Sequence, residues 1–273
     1  MIKKRNKLDP EPLIMFKTLV NSKSELIREQ ASLLLRKSFF QNILGFSPSV
    51  ATIQAERVFE EIKKQPSLNK VNNFLYQIVS KSKKRPSLKK WTQLKAERDF
   101  RILKRWLTGK TVLEITLGQD YLGLKIKSRL KKSIISVDIS DIRSLWSRYS
   151  MKFDTILING DLHHIDNLRK FFKKLITLAK NRLIMFEPRI FLKNNKFSFS
   201  KKEWVNLNIF SEWVLAIIRF KNQIDRLDYK LIDYDELKKI FFDLHLRIVY
   251  EKYITFIPKE VIVHHRWLFV LDK

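Results

Sequence analysis

The chain has 273 residues, 45% of them hydrophobic, including 20 Phe, 6 Trp and 7 Tyr. That suffices for one large domain, or one domain with a helical extension, and excludes a globally disordered chain. The absence of cysteine excludes disulfides, thiolate metal sites and cysteine nucleophiles. With 55 Lys and Arg against 28 Asp and Glu, the formal net charge is +27. A surface of that sign attracts polyanions, so RNA or a ribonucleoprotein is the expected partner and an anionic membrane surface the second choice. Compositional drift is the other origin of the charge, because Lys, Ile, Phe and Asn are the residues that an AT-rich genome overuses. No apolar run approaches the roughly 18 residues of a membrane span. The longest clean stretches, such as Trp213–Ile218, are short. The basic start Met-Ile-Lys-Lys-Arg is not followed by an apolar segment and a small-residue cleavage site, so the cytoplasm or an organelle matrix is expected.

Residues 1 to about 110 read as helices separated by polar breaks. Leu26–Leu44 has helical apolar spacing after the possible caps Asn21 and Ser22. Val50–Lys63 and Val71–Ser80 read as two shorter helices around a Lys-Lys-Gln-Pro-Ser turn. A proline-containing basic linker over 81–90 leads into a helix at Trp91–Leu107, with Ala96, Phe100, Leu103 and Leu107 on one face and Arg98, Arg101 and Arg105 on the other. Residues 81–110 carry 12 Lys and Arg against 2 Asp and Glu. Lys83, Lys84, Arg85, Lys89, Lys90, Arg98, Arg101 and Arg105 are therefore the expected polyanion contacts. A solvated helix face would also explain them.

The pattern changes at Thr111. Thr111–Leu117 is a short apolar strand closed by Gly118, Tyr121–Leu130 a helix, Ser133–Val137 a strand and Thr155–Ile158 another. Leu168–Ala179 is an amphipathic helix, and Arg182–Phe186 a strand that runs into Glu187-Pro188. Alternation at this spacing predicts an α/β fold with a doubly wound, mostly parallel sheet behind a basic helical N-terminal region. Residues 1–90 are taken as that region and 91–273 as the α/β domain. The domain is interrupted at about 189–230 by an aromatic-rich insertion with one helix, Ser211–Asn222. Asp235–Asp243 is a helix capped from Asp233, and Leu246–Tyr253 and Val261–Leu271 are closing strands.

Four short blocks, in this order, carry a resemblance. They are Val112-Leu-Glu-Ile-Thr-Leu-Gly-Gln-Asp, Ser136-Val-Asp-Ile-Ser, Phe153-Asp-Thr-Ile-Leu-Ile-Asn-Gly-Asp-Leu-His-His-Ile and Leu183-Ile-Met-Phe-Glu-Pro. Together they resemble the class I, Rossmann-like S-adenosylmethionine-dependent methyltransferases of the type 11/12 kind, over roughly residues 91–273. The resemblance implies S-adenosylmethionine as cofactor, held beyond the carboxyl ends of the strands. It assigns Glu114, Thr116, Gly118 and Asp120 to the first loop and Asp138 to the ribose hydroxyls. Asn159 and Leu162 would run under the adenine and methionine portions. His163 lies in the loop after the fourth family strand, where it could act as a base, or could pack and hydrogen-bond within that loop.

The chain departs from the pattern twice. Thr116, Gly118 and Asp120 stand where the family has three glycines, so only one glycine remains. Only 16 positions separate Asp138 from Asp154, where the family fits a helix, a strand and another helix. Either that unit is deleted, or Asp141 begins a merged strand and is the adenine-side acid. No His, Asp or Glu spacing completes a metal site around His163 and His164, and His264 and His265 would point to opposite faces of a strand. A methyltransferase with an RNA or small-molecule acceptor is expected. The alternative is a catalytically degenerate protein of the same fold that binds RNA or a ribosomal particle.

Overall fold

The computed structural model describes residues 12–82, 88–116, 121–141, 152–160, 162–188, 190–192, 199–220, 231–255, 261 and 265–273. The chain divides into two compact units. One comprises Met1–Ser87 and Phe199–Tyr229, the other Leu88–Ser198 and Lys230–Lys273.

The first unit is helical: α1 (Pro12–Val20), α2 (Glu25–Leu33), a π-helix (Leu34–Ile43), α3 (Pro48–Lys64), α4 (Leu68–Lys81) and, from the insertion, α8 (Lys201–Phe220). The stretch expected as one helix over Leu26–Leu44 changes geometry at Leu34. Its buried residues Leu34 and Leu35, then Ser38, Phe39 and Phe40, then Ile43 recur at the wider pitch of i→i+5 bonding, so one apolar face stays continuous. Helix α8 begins ten residues before the expected start at Ser211. A capping box sets that start, in which the Ser200 hydroxyl accepts from the Glu203 amide (3.2 Å) and Glu203 accepts from the Ser200 amide (2.8 Å). The insertion thereby supplies Phe210 and Trp213 to a buried aromatic cluster with Phe16, and the Trp213 indole donates to Asn72 Oδ1 at 2.6 Å.

The second unit holds α5 (Leu88–Leu103), β1 (Thr111–Thr116), α6 (Tyr121–Leu130), β2 (Ser133–Asp138), β3 (Phe153–Asn159), α7 (Leu168–Leu178), β4 (Ala179–Glu187), α9 (Tyr234–Asp243), β7 (Arg247–Ile254) and β8 (Arg266–Asp272). A separate short pair is formed by β5 (Ile190–Phe191) and β6 (Ile232–Asp233). Six strands form one sheet in the order β2-β1-β3-β4-β8-β7. The contacts among β2, β1, β3 and β4 are parallel, and β8 runs antiparallel to both β4 and β7. Alternate residues of the strands pack on α5 and α6 through Ala96, Phe100, Leu122 and Ile126, and on α7 and α9 through Phe171, Phe172, Leu237 and Phe241. Helices cover both faces, which is why β3 and the second half of β4 read as near-continuous apolar runs. This is the expected doubly wound, mostly parallel Rossmann-like sheet. Asp141, considered as the start of a merged strand, instead lies exposed in a 3₁₀ turn, Ile139–Asp141, beyond β2.

One contact fixes where the first strand starts. The Asp154 carboxylate of β3 accepts from the backbone amides of Lys110 (2.8 Å) and Thr111 (2.9 Å) and from the Thr111 hydroxyl (2.9 Å). Gly109 makes room for it. Its φ is +61°, and a Cβ there would lie 2.2 Å from Asp154 Cβ. The Thr111 amide and hydroxyl, the Lys110 amide and the Lys180 ammonium hold the Asp154 carboxyl down at about 2, from an ordinary 3.8. Because the folded value lies below the unfolded one, this stabilisation is complete above about pH 5 and is lost progressively as the pH falls through 4 towards 2. After allowance for solvent screening it is about 1 kcal/mol. Comparing urea midpoints near pH 5 and pH 2.5 checks this: Asp154→Asn should remove about that much of the acid-induced loss, and an unchanged loss would contradict the assignment.

Candidate functional site at the carboxyl edge of the sheet

Parallel strands bring their carboxyl ends to one edge, and there the α/β unit places several of its polar residues. Thr116 ends β1, Asp138 ends β2, Asn159 ends β3 and Glu187 ends β4. Arg266 joins them because β8 runs the other way and begins at this edge. Thr116 and Asp138 are register partners on adjacent strands, one strand spacing of about 4.8 Å apart. Thr116 is buried and Asp138 half-buried.

Glu114 lies one pleat below Thr116 and is fully buried, accepting a 2.6 Å hydrogen bond from the Ser136 hydroxyl on its register partner in β2. Helix α6 sits directly on this carboxylate. A Cβ on Gly123 would lie 2.1 Å from Glu114 Oε2, so the helix reaches β1 only because position 123 has no side chain. Gly123 was not among the expected site residues. Its signal in the sequence is a glycine, one of only five, inside a helix that has no other reason to accept the propensity cost.

Asn159 is buried and shared. Its Oδ1 faces Lys95 Nζ at 3.4 Å and Arg266 Nη1 at 3.5 Å. The same Arg266 guanidinium pairs with Asp99 Oδ1 of α5 and lies over the Phe186 ring, 5.0 Å from its centroid. Both members of the ion pair are buried, so α5 is tied to the sheet's carboxyl edge by charge as well as by apolar packing. Nothing in the sequence signals this pair, whose members are 167 residues apart.

The turn after β3 is organised from β4. Glu187, fully buried, accepts from the Leu162 amide at 2.9 Å through Oε2, and its Oε1 lies 3.0 Å from His163 Nδ1. The Leu162 side chain belongs to the apolar core, so its contribution to the edge is its backbone. His163 is itself buried and engaged by Glu187. His265 bonds the Tyr253 hydroxyl at 2.9 Å, and burial pushes that phenol up to about 12. Among the described residues no three His, Asp or Glu side chains converge as a metal site.

The remaining expected residues separate. Gly118, Asp120, Lys83, Lys84, Arg85 and His264 lie outside the described residues, as do the side chains of Lys89 and His164. Arg98, expected on an outward face, is half-buried and donates to the Thr255 carbonyl, and burial lowers its pKa. Lys90, Arg101 and Arg105 are exposed. Arg101 pairs with Glu97 at 3.2 Å, and Arg105 lies over the rings of Trp106 (5.0 Å) and Tyr250 (5.2 Å).

The sequence matches no family model and no curated protein. Similar solved structures include a protein from Listeria monocytogenes assigned as an S-adenosylmethionine-dependent methyltransferase, at 14% identity over 65% of this chain and 99% of that one, with a TM-score of 0.43. An S-adenosylmethionine-dependent methyltransferase from Aquifex aeolicus aligns at 14% identity over 63% of this chain and 87% of that one, with a TM-score of 0.36. A cyclopropane-fatty-acyl-phospholipid synthase-like protein from Lactobacillus casei aligns at 11% over 76% and 94%, with a TM-score of 0.44. At such identities the likeness concerns the fold alone. The chain's own strand order and strand directions show a doubly wound, mostly parallel sheet with β8 running antiparallel between β4 and β7.

Proposed function

We propose that this chain is an S-adenosylmethionine-dependent methyltransferase whose cofactor lies across the carboxyl ends of β1 and β2. The observation that carries the reading is the register pairing of Thr116 with Asp138 above a buried Glu114 clamped by Ser136 and Gly123. A half-buried carboxylate at the tip of β2 suits the two ribose hydroxyls of an adenosyl group, which both donate. A tightly seated α6 directs its N-terminal end towards the same edge. Thr116 puts a β-branched side chain where the resemblance implies glycine. The Asp138 carboxylate suits the group, while Gly118 and Asp120 of the first loop lie outside the described residues. Bound S-adenosylmethionine supplies an electrophilic methyl on a sulfonium. The protein's task is to hold donor and acceptor in line and exclude water, which needs no dedicated base. Glu187 serves that task by fixing the Leu162–His163 turn.

Titration calorimetry with S-adenosylhomocysteine tests the proposal. Micromolar binding is expected, weakened at least tenfold (about 1.4 kcal/mol) by Asp138→Ala. No heat at millimolar ligand, with the fold intact by circular dichroism, would reject the enzyme and leave the degenerate, RNA-binding reading of the same fold.

A further inference from the structure

Helices α5 and α6 lie side by side on one face of the sheet, joined by the Lys125–Glu97 ion pair. Residues 88–132 carry 13 Lys and Arg against four Asp and Glu. Of those four acids, Asp99 and Glu114 are buried beneath the helices, and Glu97 is already shared between Lys125 and Arg101. The fourth, Asp120, lies outside the described residues, and among the described ones the outer surface is almost uncompensated. Arg101, Lys104 and Arg105 are exposed where α5 ends, and Lys127, Arg129 and Lys131 where α6 ends. Both ends lie at the amino edge of the strands, since α5 runs through a short turn into β1 and α6 into β2. That edge is about 20 Å from the carboxyl edge, the length of the six-residue strand β1.

The Arg105 guanidinium lies over both Trp106 and Tyr250, whose rings are 4.7 Å apart; the Arg182 guanidinium, 5.9 Å from Trp106, is already paired with Asp272 at 2.6 Å, so Arg105 is the cation this aromatic pair offers. Cations with interleaved aromatics are the combination that tracks a phosphate backbone while stacking unpaired bases. We infer that the α5–α6 face is an anchoring surface for single-stranded RNA, separate from the carboxyl-edge site. Single-stranded polyanion is favoured over duplex because the aromatic group offers nothing to paired bases. RNA is favoured over DNA because unpaired segments are its ordinary state. An anionic membrane fits less well: among the described side chains of these two helices only Leu94 and Leu124 are large exposed apolar residues, too few for an amphipathic helix that inserts.

The test is fluorescence anisotropy of the full chain with a labelled oligouridine at several salt concentrations. Binding should weaken steeply with salt, and the triple variant Lys127→Glu, Arg129→Glu, Lys131→Glu should lower affinity at least tenfold near 0.1 M salt. It should also flatten the log–log slope by about 2, three contacts at roughly 0.7 each. Arg105→Gln, a single exposed change, should weaken binding with a smaller change of slope. Because the face is remote from Asp138, S-adenosylhomocysteine affinity should be unchanged in both variants, which keeps this inference and the cofactor proposal separately testable. Salt-insensitive binding, no binding at low salt, or a triple variant that binds like wild type would overturn it. So would preferential, charge-dependent binding to phosphatidylserine vesicles, or equal affinity for duplex RNA.

Discussion

Replacing Arg266 with alanine should destabilise the α/β unit by about 3–5 kcal/mol, read as a large fall in the urea midpoint. The cause is not the worth of the ion pair itself. Arg266 and Asp99 are 3% and 0% exposed, so removing the cation leaves a carboxylate under α5 with water excluded, its hydrogen-bonded partner lost and only the charge of Arg98 acting on it. The guanidinium also packs on Phe186 and meets Asn159, contacts that a lysine would not reproduce in the same plane. Removing both charges together is a different experiment. Arg266→Met with Asp99→Leu should recover most of the loss, because a buried pair replaced by apolar groups of similar volume is close to neutral. A single-variant loss below about 1 kcal/mol would mean that the pair is solvated and does not tie α5 to the edge.

The second large effect is expected at Gly123. In an ordinary helix, alanine in place of glycine gains about 1 kcal/mol. Here the new Cβ meets Glu114 Oε2 at 2.1 Å and Cδ at 2.9 Å, so the buried carboxylate must move and give up its bond to Ser136, or α6 must lift from β1. Overpacking costs about 1–3 kcal/mol and the lost charged hydrogen bond about as much, so Gly123→Ala should be destabilising by roughly 2 kcal/mol. The diagnostic is coupling. In a Glu114→Ala background the same substitution should become neutral or stabilising, giving a coupling above about 1 kcal/mol in a double-mutant cycle. A Gly123→Ala protein more stable than wild type would show that the helix is not seated on Glu114.

The sheet was readable because its strands are short apolar runs with clear stops. Expected β1 and β2 agree with the structure to a residue or two, and α6 matches at both ends. Strands β3 and β4 extend beyond their expected cores because Phe153, Ala179 and Glu187 pair across the sheet at positions that local hydropathy does not mark. No expected element covers helix α1, and α8 starts ahead of its expected first residue although Ser200 and Glu203 stand at capping-box spacing. The π-helical turn carries a pitch that a 3.6-residue template cannot register.

At the edge itself, the resemblance names Thr116, Asp138 and Asn159, and these residues end β1, β2 and β3. Their partners are not named there, because the contacts that decide the site join residues far apart in the chain: Glu187 with Leu162 and His163, Arg266 with Asp99, Gly123 with Glu114. Sequence periodicity specifies which face a residue occupies, and only folding reveals what stands opposite.

A crystal structure with S-adenosylhomocysteine soaked in tests the central claim most directly. The adenosyl group should lie across the ends of β1 and β2 with its ribose hydroxyls on Asp138 and its base on the Asn159 side. Difference density absent from that edge at saturating ligand, or the ligand seated anywhere else on the chain, would contradict the account.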